Sequence, residues 1–380
     1  MRLMRFLTLA FFLSVLSLSQ AFAGDTLKVG AILSVTGPAS NLGAPEARTL
    51  AMLVEDINAK GGIVGKKVEL VVKDSGGNPE KAVSFAKQLI EEEKVFAIIG
   101  PSTSGETMAI KNIAEEGKTI LLSCAAAEVI VNPVGKYVFK VAPKDSFAVV
   151  KIFDLMKKKG ITKVGVLSSN TGFGKAGKEQ LEKLAPEHGI QIVISEVYDK
   201  SATDLTAEVT KLKAKGIQAI VNWSIEPAQS IVIKNARQIG MTVPIFQSHG
   251  FANIQYAKAA GNAAEGVIFP ASRIVVSDAL PDKNPQKPVI MAYQKAYEAK
   301  YQEDVSTFGG HSYDAMMILA RAIREAGPDS EKVRSTIENM KNFIGTAGVF
   351  NFSPLDHNGL DINAFAMLTV KDGKFALLEK

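Results

Sequence analysis

The sequence predicts an α/β protein made of two lobes, each with a parallel β-sheet that is covered by helices on both faces. Segments with the apolar spacing of strands alternate along the chain with segments that have the spacing of helices, a succession that builds parallel sheets. The chain is 380 residues long, which is more than one compact core usually covers. The succession also starts again near residue 145, so we expect a second lobe from that point.

The first lobe has a regular alternation up to about residue 122. Strands are expected at 27–33, 68–72, 95–99 and 119–122. Helices are expected between them at 44–58, 79–92 and 105–116. Gly61 and Gly62 follow the first of these helices, where glycine commonly ends a helix.

The second lobe repeats the pattern and ends differently. Helices are expected at 147–159, 175–187, 205–215 and 228–239, and strands at 163–167, 190–197, 219–222, 243–246 and 266–269. The segment 277–288 is polar and rich in proline, which indicates a loop. Beyond it we expect helices at 289–301, 310–326 and 331–341, and strand-like pieces around 366–370 and 375–378.

The first 23 residues have the features of a secretory signal peptide. Arg2 and Arg5 form a short basic start, an apolar run follows at 6–18, and Ala21 and Ala23 supply a small-x-small cleavage pattern. The run is too short for a stable membrane span, which disfavours the alternative of an uncleaved anchor. We therefore expect cleavage after Ala23 and an exported mature protein.

The composition argues against several classes of function. Basic and acidic residues are interspersed, with a formal net charge of +5, and no long basic block indicates a nucleic-acid site. The only cysteine, Cys124, follows an apolar run, so we expect a packed thiol and no internal disulfide. The four histidines lack the spacing of metal ligands, and there is no Gly-x-Ser-x-Gly elbow. We expect neither an enzyme nor a bound cofactor or metal.

A glycine motif, Gly172, Gly174 and Gly177, has the G-x-G-x-x-G spacing of a dinucleotide site. In that fingerprint the first glycine lies at the end of the strand. Here four residues, 168–171, intervene, so the tight turn under a pyrophosphate is not expected. The first glycine of the motif also ends a segment with internal sequence similarity. Residues 163–172 resemble residues 28–37, and both segments end in Thr-Gly. Two similar sheets with facing carboxyl ends would form a cleft between the lobes.

Two loops after neighbouring strands have the residues of an anion site. The loop 100–105 contains Ser102 and Ser104 and opens a helix, whose first N–H groups favour an anion. The alternative is that the serine only caps the helix. The loop 123–127 contains Ala125 and Ala127, whose small side chains let backbone N–H groups approach a ligand. No lysine follows the glycines as in a P-loop, so a carboxylate is the anion that we expect.

With these residues the chain resembles the leucine/isoleucine/valine-type periplasmic binding proteins of ABC importers. The matching segments run in order through the chain. They are KVGAIL at 28–33, TGP at 36–38, IN at 57–58, GGI at 61–63, DS at 74–75, IIGP at 98–101, SG at 104–105, FG at 173–174, AEG at 264–266 and GGHSYDA at 309–315.

The resemblance implies a type I periplasmic-binding-protein fold, in which two Rossmann-like lobes are joined by a hinge of three crossover strands. The crossings are expected near 142–145, 271–274 and 345–349. The first lobe would then contain 24–142 and 273–345, and the second 143–272 and 346–380. It also implies closure of the hinge around a ligand, a periplasmic monomer, and a membrane permease as partner.

The resemblance further implies which residues hold a small carboxylate. Ser104 and the backbone at Ala125 and Ala127, with Ser102 nearby, would hold the carboxylate. The body of the ligand would be lined by Leu42, Phe173, Trp223, His249 and Phe308.

Three positions depart from the amino-acid binders of this family. Those proteins usually have a threonine at Ala127, a tyrosine at Phe173 and an acid at His249, which together surround an α-ammonium group. A buried ammonium without acceptors is costly. We therefore expect a carboxylate without an ammonium group, such as an aromatic acid or a 2-oxo acid, and His249 would contact a hydroxyl, a keto oxygen or the carboxylate.

Three alternatives remain open. In the first, the ligand is leucine, isoleucine or valine, and Glu226 serves the ammonium group. The same fold also serves as a ligand-sensing module for a membrane receptor. A secreted α/β enzyme would need a polar catalytic pair in the cleft, and the sequence shows none.

Overall fold

A computed structural model describes residues 26–378 of the chain. The expected signal peptide at 1–23 lies outside these residues. Within 26–378, no helix has the length and apolarity needed to cross a membrane.

The first sheet has five parallel strands in the order β2-β1-β3-β4-β5. The strands are β1 Leu27–Leu33, β2 Val68–Asp74, β3 Ala97–Ile99, β4 Ile120–Ser123 and β5 Val138–Lys140. The helices that connect them are α1 Ser40–Ala59, α2 Pro79–Lys87 and α3 Ser104–Glu116. A π-helical turn, Gln88–Glu92, extends α2.

The second sheet has seven strands in the order β14-β13-β10-β9-β8-β6-β7. Its parallel strands are β6 Lys163–Ser169, β7 Gln191–Tyr198, β8 Ala219–Trp223, β9 Ile245–Gln247 and β10 Ile268–Ala271. Its helices are α4 Asp145–Lys158, α5 Gly172–Leu184, α6 Thr206–Ala214, α7 Ala228–Gln238 and α8 Ile254–Ala260. The last strands, β13 Ala366–Lys371 and β14 Lys374–Leu377, run antiparallel at the edge beside β10.

After β10 the chain leaves the second sheet and returns to the first lobe, before it rejoins the second sheet at β13. It forms α9 Lys287–Tyr301, α10 Thr307–Ala326 and α11 Ser330–Glu338, followed by a short pair of strands, β11 Phe343–Ile344 and β12 Val349–Phe350. Helix α10 places Met316 and Ile323 in the core of the first sheet, together with Val29 and Leu33 of β1. Ile32 of β1 packs in the core on the opposite face, which explains why this strand is apolar throughout.

The fold class predicted from the sequence is confirmed, and four short elements were not foreseen. Strand β5 has three residues, strands β11 and β12 have two each, and helix α8 has seven, so none is long enough to show a clear apolar period. The chain passes between the lobes after β5 and again after β10, at the first two expected crossings.

The third crossing lies later in the chain than expected. Phe350 and Phe352 stack with a ring separation of 5.5 Å, and Phe352 meets Phe139 of β5 at 6.0 Å. Ala347 and Leu360 share the same core. The placement of 346–380 in the second lobe and of a crossing at 345–349 therefore disagrees with the packing. These apolar side chains complete the first core, and only the chain from about residue 365 onward joins the second sheet.

Candidate functional site

The amino ends of α3 and α5 face each other where the two lobes meet. Thr103 caps α3 by accepting a hydrogen bond from Glu106 N at 3.4 Å, and Thr171 caps α5 by accepting one from Gly174 N at 3.2 Å. The first residues of the helices are in contact, because a Cβ on Gly105 would lie 3.8 Å from Gly172 N. Both helix ends carry partial positive charge. An anion bound between the lobes at this point would thus be favoured by both helices.

Ser104 and the loop 125–127 lie side by side, but the N–H groups of Ala125 and Ala127, which were expected to hold the carboxylate, already donate to serine hydroxyls. The Ser104 hydroxyl oxygen accepts a hydrogen bond from Ala127 N at 3.2 Å, and the Ser123 hydroxyl accepts one from Ala125 N at 3.1 Å. All of these residues are buried. Because the Ser104 oxygen already accepts within the protein, its O–H remains able to donate to a carboxylate.

The hydrogen bonds of Ser102 do not fit the prediction that this residue helps to hold the ligand carboxylate. Its hydroxyl donates to Glu46 Oε2 and accepts from Ser34 N at 3.0 Å, while the Ser34 hydroxyl donates to Glu106 Oε2 at 2.9 Å. These bonds tie the loop after β3 to β1 and α1. The hydrogen-bonding capacity of Ser102 is therefore used inside the first lobe, which disagrees with its predicted role as a carboxylate ligand.

Lys140 is a buried cation beside the carboxylate loop, and no motif indicates it in the sequence. Its Nζ donates to the carbonyl oxygens of Ala126 at 3.1 Å and Ala142 at 2.5 Å. Burial lowers the pKa of Lys140 to about 7, and the charge of Asp145 acts in the opposite direction. The bond to Ala126 holds the middle of the loop whose neighbouring N–H groups face the serines.

The apolar residues predicted to line the ligand form one cluster across the cleft, which we call the cleft cluster. Leu42, Ala126 and Phe308 contribute from the first lobe. Phe173 and Trp223 contribute from the second, with a ring separation of 5.9 Å. The two lobes thus enclose the apolar surface between them.

The three glycines of the G-x-G-x-x-G motif are explained by close approaches in the structure. Gly172 touches the first lobe. A Cβ on Gly174 would lie 2.0 Å from Ser169 O, and one on Gly177 would lie 2.0 Å from Trp223 Nε1. The motif therefore lets α5 pack against β6 and the indole ring, which agrees with its rejection as a dinucleotide site.

His249 lies inside the cleft cluster. Its ring centroid is 5.3 Å from that of Phe173, 5.7 Å from that of Trp223 and 5.2 Å from that of Phe365. Burial, with the nearby charges of Lys140 and His311, lowers the pKa of His249 to about 3. The imidazole is consequently neutral at pH 7, where it has one donor and one acceptor nitrogen.

Asp145 is a second buried polar residue that the sequence does not indicate, because an acid at the first position of a helix normally belongs to the surface. It begins α4 and has no exposed surface. Its Oδ1 is 3.4 Å from His249 Nε2, without the alignment of a hydrogen bond. Burial raises the pKa of Asp145 to about 7, against the effect of Lys140.

Glu226, the expected alternative partner for an ammonium group, is engaged in its own loop. Its Oε2 accepts from the Ser224 hydroxyl at 2.7 Å and from Ile225 N at 3.2 Å. Glu226 also lines a cavity of about 180 Å³ at the boundary of the lobes, together with Lys200 and Phe173. In the part of the chain described, no three His, Cys, Asp or Glu side chains lie close enough to hold a metal ion.

A sequence profile of the family described as "Periplasmic binding protein" matches residues 26–374. The chain belongs to this family. The resemblance to leucine/isoleucine/valine-type periplasmic binding proteins is thereby confirmed, as is the prediction that the chain is a binding protein and not an enzyme.

Relatives and solved structures of periplasmic binding proteins cover nearly the whole chain. A leucine-, isoleucine-, valine-, threonine- and alanine-binding protein of Pseudomonas aeruginosa is 27% identical over 323 residues, which are 84% of each chain. An extracellular ligand-binding receptor of Rhodopseudomonas palustris HaA2 is 30% identical, with a TM-score of 0.88 over 93% of this chain and 100% of that one. The branched-chain amino acid transporter substrate binding protein LivJ of Streptococcus pneumoniae, solved with isoleucine, is 28% identical, with a TM-score of 0.82 over 92% and 98%.

Proposed function

We propose that this periplasmic binding protein is the exported solute receptor of an ABC importer and captures a small carboxylate without an α-ammonium group, such as an aromatic acid or a 2-oxo acid. The observation that carries the proposal is the neutral imidazole of His249 among three aromatic rings. It stands at the position where the resemblance places the acid that accepts an ammonium group.

The carboxylate end of the ligand is supported by four features at the lobe boundary. The N-termini of α3 and α5 face each other, and each favours a negative charge. The Ser104 O–H is able to donate, and Lys140 supplies a buried positive charge behind Ala126. An anion between the helices would also offset the repulsion between their positive ends, so binding favours closure.

The surroundings of an α-ammonium group are poor in acceptors at the three positions expected from the family. Ala127 and Phe173 have no hydroxyl group, and the neutral ring of His249 offers one nitrogen. The Oε2 atom of Glu226 already accepts two hydrogen bonds. Each unsatisfied ammonium hydrogen would cost about 1–3 kcal/mol. These residues favour a ligand whose second carbon bears no charge.

A branched-chain amino acid is the second candidate, and Asp145 is the observation that favours it. Its carboxylate is buried close to His249 and would accept from an ammonium group. The name of the Pseudomonas aeruginosa relative and the isoleucine in the Streptococcus pneumoniae structure point the same way. Against it, the charge of Lys140 already acts on the carboxylate of Asp145 and favours its ionised form without an ammonium group.

The transport role rests on the family and on the names of its members. The Streptococcus pneumoniae structure is named as a transporter substrate binding protein. We extend that role, with periplasmic location, a cleaved signal peptide and a membrane permease as partner, to this chain. A ligand-sensing module would close in the same way. Loss of uptake of the ligand in cells that lack this protein would support the transport role, and unchanged uptake would support the sensing role.

The test is isothermal calorimetry on unfolded, ligand-stripped and refolded protein at pH 7. Leucine and valine are compared with benzoate, 4-hydroxybenzoate, a cinnamate and 4-methyl-2-oxopentanoate. We expect binding of at least one acid without nitrogen and no heat from leucine or valine. Tight binding of leucine or valine would overturn the ligand class and leave the family assignment intact.

A further inference from the structure

Asp145 and His249 form a compact group of buried polar atoms with unused hydrogen-bonding capacity. Asp145 is 0% exposed and His249 is 7% exposed. Among residues 26–378, neither oxygen of Asp145 and neither ring nitrogen of His249 has a hydrogen-bond partner. More than about 90% of buried polar groups in proteins are hydrogen-bonded. Four such atoms in two adjacent side chains therefore indicate a position that a ligand completes.

The pair faces the cleft and lies beside the carboxylate loop. The His249 ring contacts Phe173 and Trp223 of the cleft cluster, which is shared with Leu42 and Phe308 of the other lobe. Lys140 connects the pair to the loop, because its Nζ donates to Ala126 O while its charge acts on both Asp145 and His249. A ligand group that reaches the pair would therefore lie on the same side of the cleft as the carboxylate, and the second carbon of the ligand is the position that we assign to it.

The hydrogen-bonding capacity of Asp145 and His249 decides which substituent on the second carbon of the ligand they can bind. The positive charge of Lys140 favours the ionised form of Asp145. An ionised carboxylate only accepts, while the neutral His249 ring has one donor and one acceptor. A keto oxygen only accepts, so it would leave Asp145 without a donor. An ammonium group only donates, so it would satisfy the acceptors of Asp145 and His249 but would leave the His249 N–H without an acceptor. A hydroxyl both donates and accepts.

We infer that the Asp145–His249 pair is a subsite for a hydroxyl group, and that the preferred ligands are 2-hydroxy carboxylates. The hydroxyl donates to Asp145 and accepts from the N–H of His249, while the carboxylate lies at Ser104 and the loop 125–127. The inference rests on the proposed function and narrows it from acids without an ammonium group to those with a hydroxyl on the second carbon.

The experiment uses two carbon skeletons that differ only at the second carbon. The aliphatic series is 2-hydroxy-4-methylpentanoate, 4-methyl-2-oxopentanoate, 4-methylpentanoate and leucine. The aromatic series is mandelate, phenylglyoxylate, phenylacetate and phenylglycine. Calorimetry on the ligand-stripped mature protein is expected to show, in at least one series, that the hydroxy acid binds about 10- to 100-fold more tightly than the oxo and unsubstituted acids.

Variants separate the subsite from the rest of the cleft. Asp145→Asn and His249→Phe should each reduce the preference for the hydroxy acid over the unsubstituted acid by about 10-fold or more. Asp314→Asn is the matched control, because Asp314 is also a buried carboxylate but accepts hydrogen bonds from Thr346 N and Ala347 N in the first lobe. The Asp314→Asn variant should prefer the hydroxy acid over the unsubstituted acid as strongly as the unmodified protein does. Circular dichroism verifies folding, and His249→Phe tests the subsite if Asp145→Asn does not fold.

The other outcomes overturn the inference in distinguishable ways. Equal or tighter binding of an oxo or unsubstituted acid would overturn the hydroxyl subsite while the proposed function stands. Tightest binding of leucine or phenylglycine would overturn both and make Asp145 the partner of an ammonium group. A hydroxyl preference that survives in Asp145→Asn and His249→Phe would show that other residues select the hydroxyl.

Discussion

Gly172 lies against Gly105 across the cleft, so that a Cβ on Gly172 would be only 2.7 Å from the Cα and the backbone nitrogen of Gly105. Gly172 is the first residue of α5 and Gly105 is the second residue of α3, so both lie at a capped helix start, one in each lobe. Backbone atoms cannot rotate away as the end of a side chain can. The closed arrangement of the lobes therefore requires glycine at 172.

Replacing Gly172 with valine should keep the lobes from closing fully. Overpacking of this kind costs about 1–3 kcal/mol, so we expect the affinity for the best acid to fall by about 10- to 100-fold while both lobes remain folded. Calorimetry measures the affinity, and small-angle X-ray scattering with ligand measures the closure.

The control for this prediction is Gly105→Ala on the opposite side of the same contact. Its Cβ would meet Gly172 N at 3.8 Å, an ordinary contact distance, so affinity should stay close to that of the unmodified protein. If Gly172→Val bound as tightly as Gly105→Ala, closure would not depend on this contact.

Replacing Lys140 with methionine should weaken the binding of every carboxylate. The change removes the hydrogen bond to Ala126 O and a buried positive charge, whereas Ala142 O still accepts from Asn358 Nδ2 at 2.9 Å. One buried carbonyl without a partner costs about 1–3 kcal/mol, and we expect affinity to fall by at least about 10-fold. Calorimetry with the tightest acid measures the effect.

Lys144→Met is the matched control for Lys140→Met. Lys144 is four residues away and pairs with Asp356 at 3.0 Å in a partly exposed ion pair, which contributes little. Equal losses of affinity in both variants would contradict a specific role for Lys140.

Replacing Phe352 with alanine tests the assignment of 346–364 to the first lobe. Phe352 is fully buried against Phe139 and Phe350, so its loss should lower the free energy of unfolding by about 3–5 kcal/mol. Urea unfolding followed by circular dichroism measures the change. Leu355→Ala in the same segment should have an effect within about 0.5 kcal/mol, because Leu355 is 90% exposed. Similar effects of the two substitutions would argue that this segment is not part of the core.

The buried carboxylate of Asp314 should make stability depend on pH. Burial raises its pKa to about 7, although Thr346 and Ala347 donate hydrogen bonds to it. A carboxylate whose pKa is raised by folding contributes stability that is fully present below its unfolded pKa of about 4 and is lost as the pH rises through 7. The unmodified protein should therefore gain stability relative to Asp314→Asn as the pH falls from 7 to 4, by up to about 1.4 kcal/mol per pH unit.

Urea unfolding of the two proteins at pH 7, 6, 5 and 4 measures this difference. A constant difference across the series would mean that the carboxyl of Asp314 titrates at its ordinary pKa in the folded protein.

The order of the long strands and helices and the two-lobed class could be predicted from the sequence, which also indicated several residues that the structure brings together at the lobe boundary. The apolar period of each long element is a local property, and parallel strands place their following loops at one edge of a sheet. For that reason Ser104 and Ala127 meet as expected. Leu42, Phe173, Trp223 and Phe308 likewise form one cluster.

Burial and pairing of single polar residues were decided only by the tertiary structure. Lys140 and Asp145 are indistinguishable in the sequence from solvated charges, and Ser102 is indistinguishable from Ser104 as a loop hydroxyl. Their roles depend on which segments, distant in the chain, lie next to them: Ala126 for Lys140, His249 for Asp145 and Glu46 for Ser102. The position of 346–364 depends in the same way on the space that Phe350 and Phe352 fill in the first core. Local periodicity carries no information about such contacts, because they form only when segments distant in the chain pack together within a lobe.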